Sequence, residues 1–471
     1  MMRRIPLASL LLLAACAVGP DYTPAPTPPA GNAAFTAATP KTATTATAPD
    51  AWWRLYNDPV LDDLIAQAFA ANTDLRVATA NLRRARAVLT EARGARLPST
   101  TISGSAVEAR QTVSTINGPV PFSSEFYRLG FDASYEIDLY GGVTRSIQAA
   151  RADAEAEAAA RDTAVISVAA ETARAYADAC SAARQLAVAE RSLKLQTDSF
   201  DLTERRVAAG RDSPLDSARA RAQLESTRAT LPTFAAGRRS ALYRLAVLTG
   251  KPPSQPDARA ALCTTPPRLT QPIPAGDGAA MLKRRPDVRR ADRQLAAATA
   301  RIGVATADLY PQISLGGSLT GQGTTPGAVF SNNGFGFSIG PFISWTFPNI
   351  IAARARINQS KASAEAALAT FDGTVLTALQ ETETALSDYA GTLQRNAALT
   401  SARDQSLEAA RIVRLRYTAG AENFLAVLDA ERTLATADAA LAQADATLTT
   451  NQIAVFKSLG GGWETVPLAA K

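Results

Sequence analysis

Residues 130–142 read GFDASYEIDLYGG, and taken two at a time they sort cleanly. Phe131, Ala133, Tyr135, Ile137 and Leu139 fall on one face, and Asp132, Ser134, Glu136 and Asp138 on the other. Strict alternation over this length is the signature of a strand with two unlike faces. The chain around it is rich in alanine and reads as long helices, so the fold turns on what isolated, two-faced strands do in a helical protein.

Three further runs answer to the same description. GFGFSIGPFISWTF places Phe335, Phe337, Ile339, Ile343, Trp345 and Phe347 on one face and Ser338, Ser344 and Thr346 on the other. Its neighbour sets Ile313, Leu315 and Leu319 against Gln312, Ser314, Ser318 and Thr320, while the stretch from Thr101 to Glu108 alternates less clearly. We expect strands at about 100–108, 127–140, 312–321 and 334–347, with polar loops over roughly 109–125 and 321–333. Runs of about nine to thirteen residues suit tilted strands crossing a bilayer, and Phe126, Tyr127, Tyr140, Trp345 and Phe347 resemble an interfacial aromatic girdle. Four strands cannot close on themselves, because single-chain barrels start at about eight. An open edge in lipid leaves backbone groups unpaired, so a barrel of these strands must be shared between chains. In that arrangement Phe131, Tyr135 and Leu139 meet lipid, and Asp132, Glu136 and Asp138 face the lumen or its mouth.

Composition narrows the function classes. The 471 residues include no histidine, which removes the usual general base near neutral pH and the commonest zinc ligand. No nucleophile and base constellation can be named, so the reading is not an enzyme, with no cofactor and no metal site. The net charge of +6, from 49 basic and 43 acidic residues, is spread along the chain rather than gathered into a nucleic-acid patch. Cys180 and Cys263 can pair if they share an oxidising compartment, although two separate packed thiols are the preferred reading.

The N-terminus carries an address. MMRRIPLASLLLLAAC has a basic start, an apolar run and small residues before Cys16, so residues 1–15 read as a signal peptide. LAAC resembles a bacterial lipobox, which makes Cys16 the expected lipidation site, and Ala17 in place of an aspartate favours sorting to the outer membrane. Residues 16–50, rich in Pro, Thr and Ala, read as an extended, lipid-anchored tether. No later stretch offers about 18 uninterrupted apolar residues, so the membrane is not crossed by a helix.

The rest of the chain is one design used twice. RLPSTTISGS from Arg96 corresponds to LYPQISLGGS from Leu309, and RVAAG at 206–210 to RYTAG at 416–420, at offsets of 213 and 210 residues. Repeat 1 occupies 51–250 and repeat 2 occupies 281–460, with a proline-rich connector at 251–280 and a tail at 461–471. In each, a long helix follows the strands, with Val165, Thr172, Ala179, Leu186, Leu193, Phe200 and Val207 recurring at sevens, then Leu379, Leu386, Leu393 and Leu407 in the second copy. Helices of this length would each span roughly 100 Å and pack side by side as in coiled coils. They turn back at hairpin tips near 205–223 and 414–433, where Gly210 and Gly420 suit the left-handed position after a helix and Ser213 or Asn423 can cap the next. A surface lipoprotein built on a trimeric coiled coil would share the long helices but has no need of returning hairpins or a charged tip.

Together CAVGPDY, WWRLYNDPVLDDLI, SYEIDLYGG, RRPDVRRADRQLAAATARIGVATADLYPQISL and RYTAGAENFLAVLDAER resemble the outer membrane factors, the TolC/OprM/NodT-type outer-membrane efflux lipoproteins, over nearly the whole mature chain. The resemblance implies an α+β membrane protein. In it, three chains form a 12-stranded outer-membrane barrel, four strands from each, continued by a periplasmic α-helical barrel. It implies a passive exit channel for drugs or other small molecules. The partners would be a periplasmic adaptor (membrane fusion) protein at the tips and an inner-membrane pump, by analogy of the resistance-nodulation-division type. Carried onto the matching motif, Leu425 would supply an apolar ring, Asp429 a ring of carboxylates, and Arg432 and Tyr417 the ties that close a periplasmic gate. Gly210 and Gly420 would flank the adaptor-docking grooves. Arg219 and Asp216 in the first tip, opposite in sign or close by, could bridge to Asp429 and Arg432 in the second.

Overall fold

The computed structural model describes residues 17–26, 34–116, 118–347 and 350–464 of the chain. The signal peptide, Cys16 and residues 465–471 of the tail lie outside those residues. In chain order the elements are β1 (Ala43–Thr44), α1 (Pro59–Ala71), α2 (Thr73–Gly94), β2 (Ser99–Thr115), β3 (Gly118–Ile137), α3 (Gly142–Ala208), α4 (Pro214–Arg228) and α5 (Leu231–Leu248). Then come α6 (Ala258–Ala261), β4 (Ile273–Pro274), α7 (Gly278–Arg284), α8 (Pro286–Ala307), β5 (Gln312–Gly323), β6 (Phe335–Ser344), α9 (Ile350–Thr418) and α10 (Phe424–Ser458). No helix among the described residues is long and apolar enough to cross a membrane. The described residues divide into two compact units, the first drawn from Met1–Ala25, Asn81–Ala158 and Arg290–Asp372 and the second from Pro26–Ala80, Ala159–Arg289 and Gly373–Lys471.

In the first unit the four long strands form one antiparallel sheet in the order β2-β3-β5-β6. Its register lines up Ile102, Phe131, Leu319 and Phe337 in one row and Thr101, Asp132, Ser318 and Ser338 in the next. Cross-strand partners share a face, so the alternation read from each strand adds up to an apolar and a polar side. On the polar side the Ser318 and Ser338 hydroxyls lie 2.9 Å apart. On the apolar side Ile102 is 76% exposed and Phe337 72%, and among the described residues the segment around Val329 packs against this face at Gly321, leaving most of it open.

Several boundaries depart from the sequence reading. Residues 109–125 are not a loop: β2 and β3 run on through the described ones, pairing Val113 with Val120 and Thr115 with Gly118. The β-branched Thr112, Val113, Thr115 and Val120 favour the extension. Along this extension the apolar residues change sides, since Val120, Phe122 and Phe126 occupy the face that carries Asp132 lower down. At the other end β3 stops at Ile137, and Asp138 is no lumen-facing strand residue. Its carboxylate accepts the Val143 and Thr144 backbone N–H groups at 3.0 and 2.8 Å, satisfying donors left free at the start of α3. Trp345 and Phe347 likewise lie past the end of β6, where Trp345 donates to the Leu309 carbonyl and the two rings sit 4.9 Å apart.

The expected tether is bound rather than free over much of its length. In the first unit Arg145, its side chain 4% exposed, donates to the carbonyls of Ala17, Val18 and Gly19, to the Asp21 carboxylate at 2.7 Å and to the Gln148 amide oxygen. Val18 in turn donates to the Tyr140 carbonyl at 3.1 Å, and Tyr22 donates to Asp292. In the second unit Phe35 is buried, the Thr36 and Ala37 N–H groups meet Glu383, and β1 pairs in parallel with β4. Pro, Thr and Ala form no core by themselves; here backbone groups together with Asp21, Tyr22 and Phe35 supply the binding, and overall composition does not report on them.

In the second unit Trp52, shortly before α1, is fully buried and stacks on Phe456 of α10 at 4.9 Å, while Trp53 meets Phe69 of α1 edge-on. The sevenfold stripe on α3 holds at Val165, Thr172 and Ala179, all buried, but nearer the tip the deepest positions pass to Ala189, Gln196, Ser199 and Thr203. Leu186, Leu193, Phe200 and Val207 are only half-buried there. Cys180 and Cys263 are joined in a disulfide across 83 residues, in place of the separate thiols preferred from the sequence. Their spacing held no information about this, because the pairing depends on how the connector folds back on α3. A cross-link of that span removes roughly 4–5 kcal/mol of unfolded-chain entropy in the loop-closure account, and it belongs to an oxidising compartment.

Candidate functional site

The sequence singles out the two helical tips, both in the second unit. After α3 the chain turns at Gly210, with φ +69°, and after α9 at Gly420, with φ +77°. In both, the N–H one residue past the glycine reaches back five residues, from Arg211 to Arg206 and from Ala421 to Arg416, each at 2.8 Å. This closes the helix end with the left-handed residue that glycine adopts at no steric cost. The following helices start as expected. Asp216 accepts the Ser213 N–H at 3.3 Å with Pro214 in the first turn, and Asn423 accepts the Ala426 N–H at 3.0 Å. An added Cβ at either glycine meets no atom within 4 Å, so the space beside both turns is open.

Between the tips lies a small apolar core of Ala220, Tyr417, Phe424, Val427 and Leu428, with Phe200, Leu202 and Val413 against it. Polar ties surround it. Arg206 pairs with Asp212 at 2.9 Å, donates to the Tyr417 carbonyl at 3.1 Å and lies 4.3 Å over the Tyr417 ring. The Tyr417 hydroxyl donates to the same Asp212 carboxylate. Burial, and then the bond to Asp212, push the Tyr417 phenol up to about 12. The bond to Asp212 also raises the Arg206 guanidinium above its ordinary value. A second tie joins Arg414 to Glu431, which is buried and also accepts from Ser199 at 2.6 Å.

Of the four residues carried over as a gate, two touch the first tip. Tyr417 does so through Asp212 and Arg206, and Arg432 through the Gln223 amide oxygen at 2.7 Å. Leu425 is 54% exposed, and Asp429 is exposed with no side-chain partner among the described residues. Asp429 and Arg432 therefore do not form the local pair that their three-residue spacing allows. Arg219 sits 3.6 Å from Asp216 of its own helix. Arg206, Asp212, Arg414, Glu431 and Ser199 were not foreseen. The repeat held a signal for the first pair: 210 residues on, Arg416 and Glu422 stand in the same relation, 3.5 Å apart. Tyr417 has no such twin, because its counterpart is Val207.

Two grooves run beside these ties. One of about 350 Å³ is lined by α3, α9 and α10, from Ser192 to Thr418 and Asp438. The other, of about 740 Å³, is lined by α3, α4, the start of α5 and α10 and includes Gln223 and Arg432. Among the described residues no three acidic, cysteine or histidine side chains cluster as metal ligands.

Residues 64–251 and 279–461 match the outer membrane efflux protein family, one stretch for each repeat. Nodulation protein T of Rhizobium leguminosarum bv. trifolii is 31% identical over 441 residues, covering 92% of both chains. Among solved structures the outer-membrane channel OprN is similar at a TM-score of 0.88 and 37% identity, over 95% of this chain and all of that one. The open state of the MtrE outer membrane channel of Neisseria gonorrhoeae is similar at 0.82 and 30%, over 95% and 99%.

Proposed function

The chain belongs to the outer membrane efflux protein family, and from that premise we propose that three copies form a gated exit duct that carries small molecules handed on from the periplasm. The observation that carries this reading is the open sheet. β2 and β6 are the edges of a four-stranded sheet whose apolar face stands largely open, with Ile102 and Phe337 more than 70% exposed. In lipid the apolar face is at home but the edges need partners, and joining β6 of one copy to β2 of the next supplies them. Three copies give twelve strands, enough to leave a lumen, whereas two give eight and a filled interior. Lipidation at Cys16 would add the anchor. The first described residues, from Ala17, are held by Arg145 beside the turn between β3 and α3, which suits an anchor close to the sheet.

Energy and cargo selection lie elsewhere in this account. The periplasmic adaptor docks in the grooves beside Gly210 and Gly420, and an inner-membrane pump, of the resistance-nodulation-division type by resemblance, drives transport. The Tyr417–Asp212–Arg206 and Arg432–Gln223 ties hold the two hairpins of a chain together and keep the duct closed until the adaptor engages. Three copies of Asp429 gathered on the axis would draw cations to the closed mouth. The test is a photocrosslinking residue in place of Ala421, exposed beside Gly420, in cells. We expect a covalent adduct with an adaptor hairpin, together with export of the pump's substrates; absence of any adduct in cells that export normally overturns the docking assignment.

A further inference from the structure

The connector between the repeats does more than join them. Cys263 is bonded to Cys180 of α3, and six residues further on Leu269 is gripped at both backbone groups by a fully buried side chain of α10. The Gln452 amide oxygen accepts the Leu269 N–H at 3.2 Å, and its amide nitrogen donates to the Leu269 carbonyl at 3.1 Å. Between these ends Pro266 and Pro267 are buried, and Thr449 donates to the Pro267 carbonyl at 3.0 Å. Arg268 reaches Asn396 of α9 at 3.3 Å and Asp445 of α10 at 3.5 Å. Asp445 also takes Arg184 of α3 at 3.0 Å and Asn396 at 2.8 Å, so one carboxylate gathers three helices and the connector.

We propose that residues 263–269 are a covalently fastened strap that fixes the spacing of α3, α9 and α10 at this level. Opening is then confined to the tip side, from about residue 185 to the hairpin turns. The disulfide is the end of the strap that cannot slip. The other end is made of hydrogen bonds and one screened ion pair, which exchange with water when the helices part. The tip side is built to move: both grooves lie there, and Gln196, 4% exposed, has an amide oxygen without a partner among the described residues. The consequence for conduction rests on the duct reading, whereas the mechanical role of the strap does not.

The experiment uses the purified full-length trimer before and after reduction by a phosphine. The phosphine takes up one oxygen from water as the S–S bond becomes two thiols. Cys180→Ser/Cys263→Ser serves as the permanently unfastened form. Hydrogen exchange of α3 beyond residue 185 and of α9 and α10 toward their tips should rise several-fold on reduction, with the trimer intact. The double variant should match the reduced protein and ignore the phosphine. Closed-state conductance should rise in the same samples. Unchanged exchange in those helices, a rise confined to residues 258–273, or dissociation of the trimer on reduction overturns the strap. If exchange rises while neither form ever conducts, the strap stands and the duct reading fails.

Discussion

The Tyr417 hydroxyl donates to the Asp212 carboxylate that Arg206 holds at 2.9 Å, and the same guanidinium covers the Tyr417 ring. Three groups from two hairpins thus form a closed circuit, in which removing one leaves a charge short of a partner. Tyr417→Phe keeps the ring and the cation–π contact but deletes the donor to an ionised acceptor, a loss of about 1.5–3 kcal/mol. Amide exchange at the two tips should quicken accordingly, while the four-stranded sheet exchanges as before.

The same residue sets a pH dependence. Its folded-state value, about 12, lies above the ordinary 10, so the contribution of the protonated phenol is fully present below pH 10. As pH rises past 10 the unfolded chain loses the proton first, and stability is lost progressively up to about 12. Tip exchange followed by mass spectrometry should rise over that window in the wild type, with a flatter profile in Tyr417→Phe.

Gly420 separates conformational cost from occupancy. Gly420→Ala adds a Cβ that meets no atom, so its cost, about 1 kcal/mol, comes from the left-handed backbone alone. Gly420→Trp fills the open space as well. It should abolish export while leaving trimers in the membrane, as read by semi-native gels; loss of the trimers would assign the glycine to folding.

Arg145 makes a prediction about residues 17–22. All its donors are spent on one short segment and Gln148, a pattern that a lysine ammonium cannot reproduce. Arg145→Lys should expose the bond after Tyr22 to chymotrypsin in the folded protein, at least tenfold faster than in the wild type, a change of about 1.4 kcal/mol in local opening.

The strands and the long helices were legible because each keeps one period over much of its length, and the repeat doubled the signal. What escaped was nonlocal or backbone-made. Asp138 reads as the next residue of an alternating strand until its carboxylate is seen to meet the Val143 and Thr144 N–H groups. Residues 109–125 read as a loop because the alternation changes sides near Phe126. At the site, resemblance pointed to Tyr417 and Arg432. Their partners Asp212, Arg206 and Gln223 lie more than 200 residues away and carry no local pattern, and only the repeat could have suggested Asp212.

The most direct test of a gated duct is planar-bilayer conductance of the purified trimer, with Asp429→Ala beside the wild type. The account predicts a small, cation-preferring conductance for the wild type. In the variant the cation preference should fall and conductance change, and cells carrying it should leak antibiotic through the closed channel. Conductance, selectivity and leakage all unchanged by Asp429→Ala would contradict it.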